Sequence, residues 1–257
     1  MSARVSTRWA SISTTKMEWT DAAIVLGSRH FGEGKLLAEV FSRVNGRFGG
    51  VVHAGRKSAP VLQAGNLIHT GWKARLSEQL GFFNPLDLDT PYAGRVLEDP
   101  VALAGIGSAI ALVRGTTAER QAYPGVFDAL IVLLEALPQD EVWPAIYARF
   151  EIGLLAQVGY GLDLQRCAVT GTTEELAYVS PRTGRAASAE AGAPFADKLL
   201  RLPGFLIGRA EIEEGDVADA LALAGYFLER RVYDQRGEGM PEARRRLIER
   251  LGFAGRL

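Results

Sequence analysis

The strongest constraint on the fold is an alternation of apolar and polar side chains over residues 66–76. In an extended strand, successive side chains point to opposite faces. One face of this segment would carry the apolar side chains Ile68, Trp72, Ala74 and Leu76. The other face would carry His69, Lys73 and Arg75. This period of two predicts a β-strand with a buried inner side and a cationic outer side.

Four more short segments have strand-like patterns, at residues 19–27, 35–42, 47–53 and 82–88. Glycine-containing turns separate them, and Asn45-Gly46 is a strong hairpin signal because both residues tolerate positive φ. Small all-β domains remove exposed sheet edges by closing into barrels. Residues 17–90 are therefore predicted to form a five-stranded β-barrel, for which the OB-fold is one solution.

The pattern changes after Pro91, and residues 91–257 are predicted to form a mainly α-helical domain. We expect helices at residues 99–114, 125–137, 144–158, 217–233 and 241–252. Residues 163–206 are irregular, with a small β-hairpin insertion around residues 181–184. Residues 1–16 contain no acidic residue and are expected to be a disordered tail or the product of an early start before Met17. An organellar transit peptide is the alternative.

Charge is distributed unevenly between the two predicted domains. The formal net charge is −1, but residues 1–80 carry eleven Lys and Arg against five Asp and Glu, which gives +6. The remaining residues carry 18 against 25, which gives −7. A basic front and an acidic back suggest different binding partners for the two domains. Cys167 is the sole cysteine, so no disulfide can form within the chain and a cytoplasmic setting is the default.

Catalytic motifs are largely missing. Gly32-Glu33-Gly34-Lys35 lacks the earlier glycine and the Ser/Thr of a phosphate loop, and no GxSxG or HExxH motif occurs. The three histidines are 23 and 16 residues apart, without metal-ligand spacing. Cys167 has no histidine after residue 69 to act as its base. We therefore expect no enzyme, no catalytic residues and no cofactor.

The positive charges of the predicted barrel point to nucleic acid instead. Barrels of this type bind single strands through a cationic groove combined with aromatic side chains that stack on bases. The candidate DNA-binding residues are Lys35, Arg43, Arg47, Arg56, Lys57, Lys73 and Arg75. The stacking candidates are Phe48, Phe82 and Phe83. A merely solvated strand face, or a barrel that binds an acidic protein without binding DNA, remains an alternative.

Several segments in order resemble the RecO family of bacterial DNA repair proteins. The resemblance spans roughly residues 17–252, and its clearest segments share order and spacing with that family. They include Met17-Glu18-Trp19, Asn45-Gly46-Arg47, Trp72-Lys73-Ala74-Arg75-Leu76, Leu202-Pro203-Gly204-Phe205-Leu206 and Pro241-Glu242-Ala243-Arg244. The resemblance implies an N-terminal OB-fold, a helical C-terminal domain and a mediator role in homologous recombination, located in the cytoplasm at the nucleoid.

The resemblance also implies partners. Family members bind single- and double-stranded DNA, anneal complementary strands, and act with a RecR partner to load RecA recombinase in place of single-strand-binding protein. The acidic tail of single-strand-binding protein would dock on the helical domain, where Arg114 or Arg149 are the candidates. No membrane partner is expected. Many members hold zinc with four cysteines in the segment equivalent to 163–190, but here Cys167 stands alone and Thr170 replaces a second cysteine. One thiol cannot hold tetrahedral zinc, so we predict no metal.

Overall fold

The computed structural model describes residues 17–56, 58–75, 80–139, 141–209 and 211–257 of the chain. The expected tail at residues 1–16 and the inward position of Leu76 lie outside these ranges. A closed barrel is built from five strands, with a short helix α1 (Ser58–Val61) between the third and fourth. The strands are β1 (Met17–His30), β2 (Lys35–Ser42), β3 (Gly46–His53), β4 (Leu67–Ala74) and β5 (Gly81–Thr90).

The barrel closes in the order β1-β2-β3-β5-β4, with β4 paired back onto β1. Every pairing is antiparallel except β3 with β5, which run parallel. The prediction of a five-stranded barrel of the OB type is confirmed. Among the predicted inward residues, Ile68, Trp72 and Ala74 are buried, whereas His69, Lys73 and Arg75 are exposed.

Trp72 is the centre of the barrel interior. Its ring packs edge-on against Phe48 at 4.9 Å between centroids and stacks with Trp19 at 6.5 Å. Its indole N–H donates to the Gly49 carbonyl at 3.0 Å, which satisfies a buried polar group. Gly81 makes room for this ring, since a Cβ there would lie 2.3 Å from it. Aromatic volume and glycine are thus matched at the parallel β3–β5 junction.

The helical domain follows the barrel directly. Asp99 begins its first long helix by accepting the backbone N–H groups of Val101 and Ala102 at 2.7 and 3.0 Å. A three-stranded sheet in the order β7-β6-β8 is inserted after the third long helix. The helices are α2 (Pro100–Thr116), α3 (Pro124–Ala136), α4 (Trp143–Gln157), α5 (Ala189–Gly192), α6 (Asp216–Leu228) and α7 (Glu242–Phe253). The strands are β6 (Leu176–Val179), β7 (Ala186–Ser188) and β8 (Leu200–Arg201).

Two of these features differ from the predictions. The hairpin of β6 and β7 agrees with the prediction, but β8 adds a third strand to it. The sequence does not predict β8, because its two residues are too few to give a periodic pattern. The helix predicted at residues 217–233 changes at Leu228 into a wider turn, Glu229–Tyr233, followed by a tighter one, Asp234–Arg236. No helix in the described ranges has the length and apolarity needed to cross a membrane.

A buried ion pair ties the last helix into the helical domain. The Arg244 guanidinium of α7 donates to the Glu151 carboxylate of α4 at 2.6 and 2.8 Å, and to the Leu221 carbonyl of α6 at 2.7 Å. Burial disfavours a charged guanidinium, but the adjacent Glu151 carboxylate holds the pKa of Arg244 above its usual value. Three helices therefore converge on one charged group inside the core.

The barrel and the helical domain pack against each other. Ile24, Leu26 and Phe41 of the barrel belong to the same buried apolar cluster as the long helices. The Phe41 ring lies 6.0 Å from that of Phe127 in α3. Gly46, at φ +79°, allows close contact, because a Cβ there would lie 1.9 Å from the Gln121 carbonyl oxygen. The surfaces at this junction thus combine residues from both domains.

Candidate nucleic-acid interface

A groove with a volume of about 790 Å³ lies beside the β3–β5 junction of the barrel. We call it the barrel groove and define it by five side chains that line it: His53, Arg56, Lys73, Phe82 and Asn84. Arg56 and Lys73 are cationic and Phe82 is aromatic. His53 and Asn84 can donate and accept hydrogen bonds. This is the combination that single-stranded nucleic acid requires, namely charge for phosphates and a flat ring for bases.

Strand register places these side chains together. Phe82 of β5 pairs with Val51 of β3 on one side and with Lys73 of β4 on the other. Lys73 is in turn opposite Glu18 of β1, with which it forms an ion pair. Lys35 of β2 lies opposite His53 at the end of β3, so an exposed cation adjoins the groove there.

The loop that carries Arg56 is held by its own hydrogen bonds. Ser58, the first residue of α1, accepts the Gly55 N–H and donates to the Gly55 carbonyl, both at 2.8 Å. Arg56 is exposed between these two residues and lines the barrel groove. Lys57, also predicted as a DNA contact, lies outside the described residues. Arg75 follows β4 with the same outward parity as Lys73 and is exposed.

The three aromatic candidates do not share one environment. Phe82 is 49% exposed and lies in the groove. Phe48 and Phe83 are each 4% exposed and belong to the barrel core, so the expectation that they stack on bases is wrong. The reason is the period of two, since adjacent residues 82 and 83 must face opposite sides of β5.

The remaining two predicted DNA contacts, Arg43 and Arg47, bind groups of the helical domain. Arg43 binds Asp128 of α3 through two hydrogen bonds of 2.8 Å, which hold the pKa of that carboxyl below its ordinary value. Arg47 donates to the Thr117 carbonyl at 2.8 and 3.2 Å and to Glu39 at 2.5 Å. The Arg47 side chain is 13% exposed. Both stay predictions as DNA contacts, and the contacts they make here are to protein.

The two partner-binding candidates have different surroundings. Arg114, in the last turn of α2, binds the Glu39 carboxylate of the barrel at 2.7 and 2.8 Å. Arg149 of α4 donates to the Phe205 carbonyl at 2.5 and 3.2 Å, with its guanidinium 5.8 Å from the centre of the Phe205 ring. Arg114 and Arg149 thus bind different residues. Neither contact favours one of them as the docking site for the acidic tail, and both stay predictions.

Cys167 is a buried thiol in a turn that precedes β6. Burial alone would raise the pKa of the thiol, but hydrogen bonds from Thr170 and Ser188 lower that pKa to about 6. Within the described ranges, no three His, Cys, Asp or Glu side chains are grouped as metal ligands would be. The absence of zinc stays a prediction, which metal analysis of the purified protein would check.

His53 and Asn84 belong to the groove without having any motif that would single them out. The signal for His53 is parity, because Val52 faces the barrel core and its neighbour must face outward. Asn84 has the same outward parity as Phe82 on β5. A sequence therefore places such residues on a surface, but their meeting at one groove depends on strand pairing.

An OB-type barrel with a cationic outer groove, joined to a helical domain carrying a small sheet, defines the class of two-domain OB-fold proteins. Residues 17–92 match the family model described as Recombination protein O N terminal, and residues 97–238 match Recombination protein O C terminal. The chain belongs to the recombination protein O family.

Relatives with similar sequences extend over nearly the whole chain. It is 49% identical over 238 residues to the DNA repair protein RecO of Rhodospirillum centenum, covering 91% of this chain and 94% of the relative. It is 43% identical over 239 residues to that of Hyphomonas neptunium, covering 91% and 98%. It is also 43% identical over 246 residues to that of Caulobacter sp. strain K31, covering 94% and 100%.

Proposed function

We propose that the protein binds single-stranded DNA in the barrel groove. Lys35, Arg56, Lys73 and Arg75 contact phosphates, and Phe82 stacks on a base. The observation that carries this proposal is the half-exposed Phe82 ring set beside Lys73 in register on a barrel face. A base that stacks on an aromatic side chain contributes about 1–3 kcal/mol without selecting a sequence. Phosphate contacts add affinity that falls with salt.

The wider role follows from this surface and from the family. By offsetting phosphate charge, a cationic surface lowers repulsion between two strands, so annealing of complementary strands needs no catalytic residue. Double-stranded DNA is bound through the same phosphate contacts. The protein then acts as a non-enzymatic recombination mediator that, with a RecR partner, helps load RecA onto DNA coated by single-strand-binding protein. The helical domain receives the acidic tail of that protein through Arg114 or Arg149.

The direct test replaces groove residues and measures binding to a labelled oligonucleotide by fluorescence anisotropy at several salt concentrations. Arg56→Glu should weaken binding and make the dependence of log affinity on log salt shallower by about 0.7. Phe82→Ala should weaken binding roughly tenfold while leaving that slope unchanged, because it removes stacking and no charge. Arg182→Glu, at an exposed turn of the β6–β7 hairpin, is the control and should leave both quantities unaltered.

Unchanged affinity in both groove variants would refute the groove as a DNA site. An adaptor that binds only an acidic protein gives a distinct result. In that case Arg56→Glu would weaken binding of an acidic peptide, while the parent protein would show no binding to the oligonucleotide at low salt.

A further inference from the structure

A second concave surface lies where the barrel meets the helical domain. We call it the junction cleft; it has a volume of about 670 Å³. Three arginines from different elements line it, namely Arg29 of β1, Arg114 of α2 and Arg120 of the loop after α2. Convergent guanidinium groups from two domains are suited to a phosphate-bearing ligand, since guanidinium geometry matches phosphate oxygens.

Contacts at the junction hold two of these arginines, Arg114 and Arg120, in place. Gly27 admits Arg114, because a Cβ at residue 27 would lie 3.3 Å from a guanidinium nitrogen. The Arg114 side chain remains 43% exposed although it binds Glu39. The Arg120 guanidinium lies 5.5 Å from the centre of the Phe48 ring and 5.6 Å from that of Trp72, at an edge of the barrel core.

Two carboxylates also line the cleft, and they differ in their surroundings. Glu39 is bound by both Arg47 and Arg114, so two guanidinium groups offset its charge. Glu119 is exposed in the loop next to Arg120. Glu119 would therefore repel a bound phosphate, which gives the cleft a residue whose removal should strengthen binding.

The junction cleft lies next to the barrel groove along β3. The outward face of β3 carries every second residue, namely Gly49, Val51 and His53. This row spans about 13 Å at the usual rise per residue. Gly49 lines the cleft, whereas Val51 and His53 line the groove. Leu80, in the cleft, and Phe82, in the groove, have the same parity and are 44% and 49% exposed. Two exposed apolar side chains, one in each surface, thus lie between the two groups of cations.

We infer that the junction cleft is a second phosphate-binding site for the same DNA strand. A strand too long for the barrel groove crosses Leu80 and enters the cleft, where Arg29 and Arg120 contact its phosphates. This inference rests on the proposed binding of single-stranded DNA in the groove. Because the cleft contains side chains of both domains, a long strand touches the barrel and the helical domain together, whereas a short strand touches the barrel alone.

The test compares oligonucleotides of about 5 and about 15 nucleotides, a range within the site sizes of OB-folds. Arg29→Glu should weaken binding of the longer strand at least tenfold, reduce its salt slope by about 0.7, and leave the shorter strand unaffected. Arg29→Lys keeps the charge and should leave the salt slope unchanged, but it should lose part of the affinity because an ammonium group cannot bind a phosphate through two parallel hydrogen bonds. Glu119→Gln should strengthen binding of the longer strand alone. Arg182→Glu is again the matched control, and thermal melting verifies that each variant folds.

The outcomes separate the inference from the proposed function. If Arg56→Glu weakens binding of both oligonucleotides but Arg29→Glu and Glu119→Gln change neither, the junction cleft is not a DNA site and the barrel groove stands. If Arg29→Glu weakens binding of an acidic peptide and not of the longer strand, the cleft takes a protein and the inference is overturned. If Arg56→Glu changes the binding affinity for neither oligonucleotide, the barrel groove is not a DNA site and the proposed function is refuted.

Discussion

Arg47 and Arg75 are both barrel arginines predicted to contact DNA, and the structure gives them opposite environments. Replacing Arg47 by Met removes two hydrogen bonds to the Thr117 carbonyl and one to the Glu39 carboxylate. A hydrogen bond to a charged group contributes about 1.5–3 kcal/mol to stability, and the two bonds to the single Thr117 carbonyl oxygen together count as about one. Glu39 keeps Arg114 as a partner, which reduces the penalty. We therefore expect Arg47→Met to lower the free energy of unfolding by about 3 kcal/mol.

For a chain of this length, that loss lowers the melting temperature by about 6–12 °C. Arg75→Met is the matched variant, because its side chain is exposed and its removal should change the free energy of unfolding by less than about 0.5 kcal/mol. Denaturant unfolding measures the stabilities, and oligonucleotide titration at several salt concentrations measures the phosphate contacts. Arg75→Met should flatten the salt slope and Arg47→Met should not. If Arg47→Met leaves stability unchanged and flattens the slope, the reasoning is refuted.

Two predictions concern the helical domain. Glu151→Gln leaves the Arg244 guanidinium buried without a counter-charge, so it should lower the free energy of unfolding by about 3–5 kcal/mol in a denaturant experiment. The double variant Glu151→Leu/Arg244→Met should recover much of that loss. A loss under about 1 kcal/mol in Glu151→Gln would contradict this. Cys167, whose pKa is lowered to about 6, should stabilise the fold fully above the ordinary thiol pKa and progressively less as pH falls through about 6. The free energy of unfolding should therefore rise more between about pH 6 and pH 9 in the parent than in Cys167→Ser, and parallel curves for the two proteins would rule out a stabilising thiolate.

The barrel could be predicted from sequence because its signal is local. The alternation over residues 66–76 requires no knowledge of partners, and it correctly placed Trp72 inside and Lys73 outside. The parallel pairing of β3 with β5 depends on chain closure and has no local signature. The same limit applies to β8, which is a strand because β6 pairs with it.

The site was harder to predict because a sequence does not show whether a charged side chain faces solvent or the other domain. Arg47 and Lys73 are both strand cations in the sequence. In the structure Arg47 donates to the Thr117 carbonyl, whereas Lys73 lines the barrel groove. The barrel arginines that bind the helical domain have partners distant in sequence, as shown by Arg43 and Asp128, which are 85 residues apart. Phe82 and Phe83 illustrate the opposite case, since strand parity alone could have separated the exposed ring from the buried one.

These contacts change the meaning of the positive charge in the first 80 residues. Arg43 and Arg47 bind groups of the helical domain, so part of the charge difference between the domains holds them together. Among the predicted DNA contacts that the structure describes, those left on the outer barrel face are Lys35, Arg56, Lys73 and Arg75, and Lys73 also pairs with Glu18. Four phosphate contacts would give a salt slope of about −3 for single-stranded DNA. A phosphate contact of Arg29 or Arg120 in the junction cleft would steepen this salt slope by about 0.7, but only for strands long enough to reach the cleft. Strand length rather than total charge should therefore govern affinity.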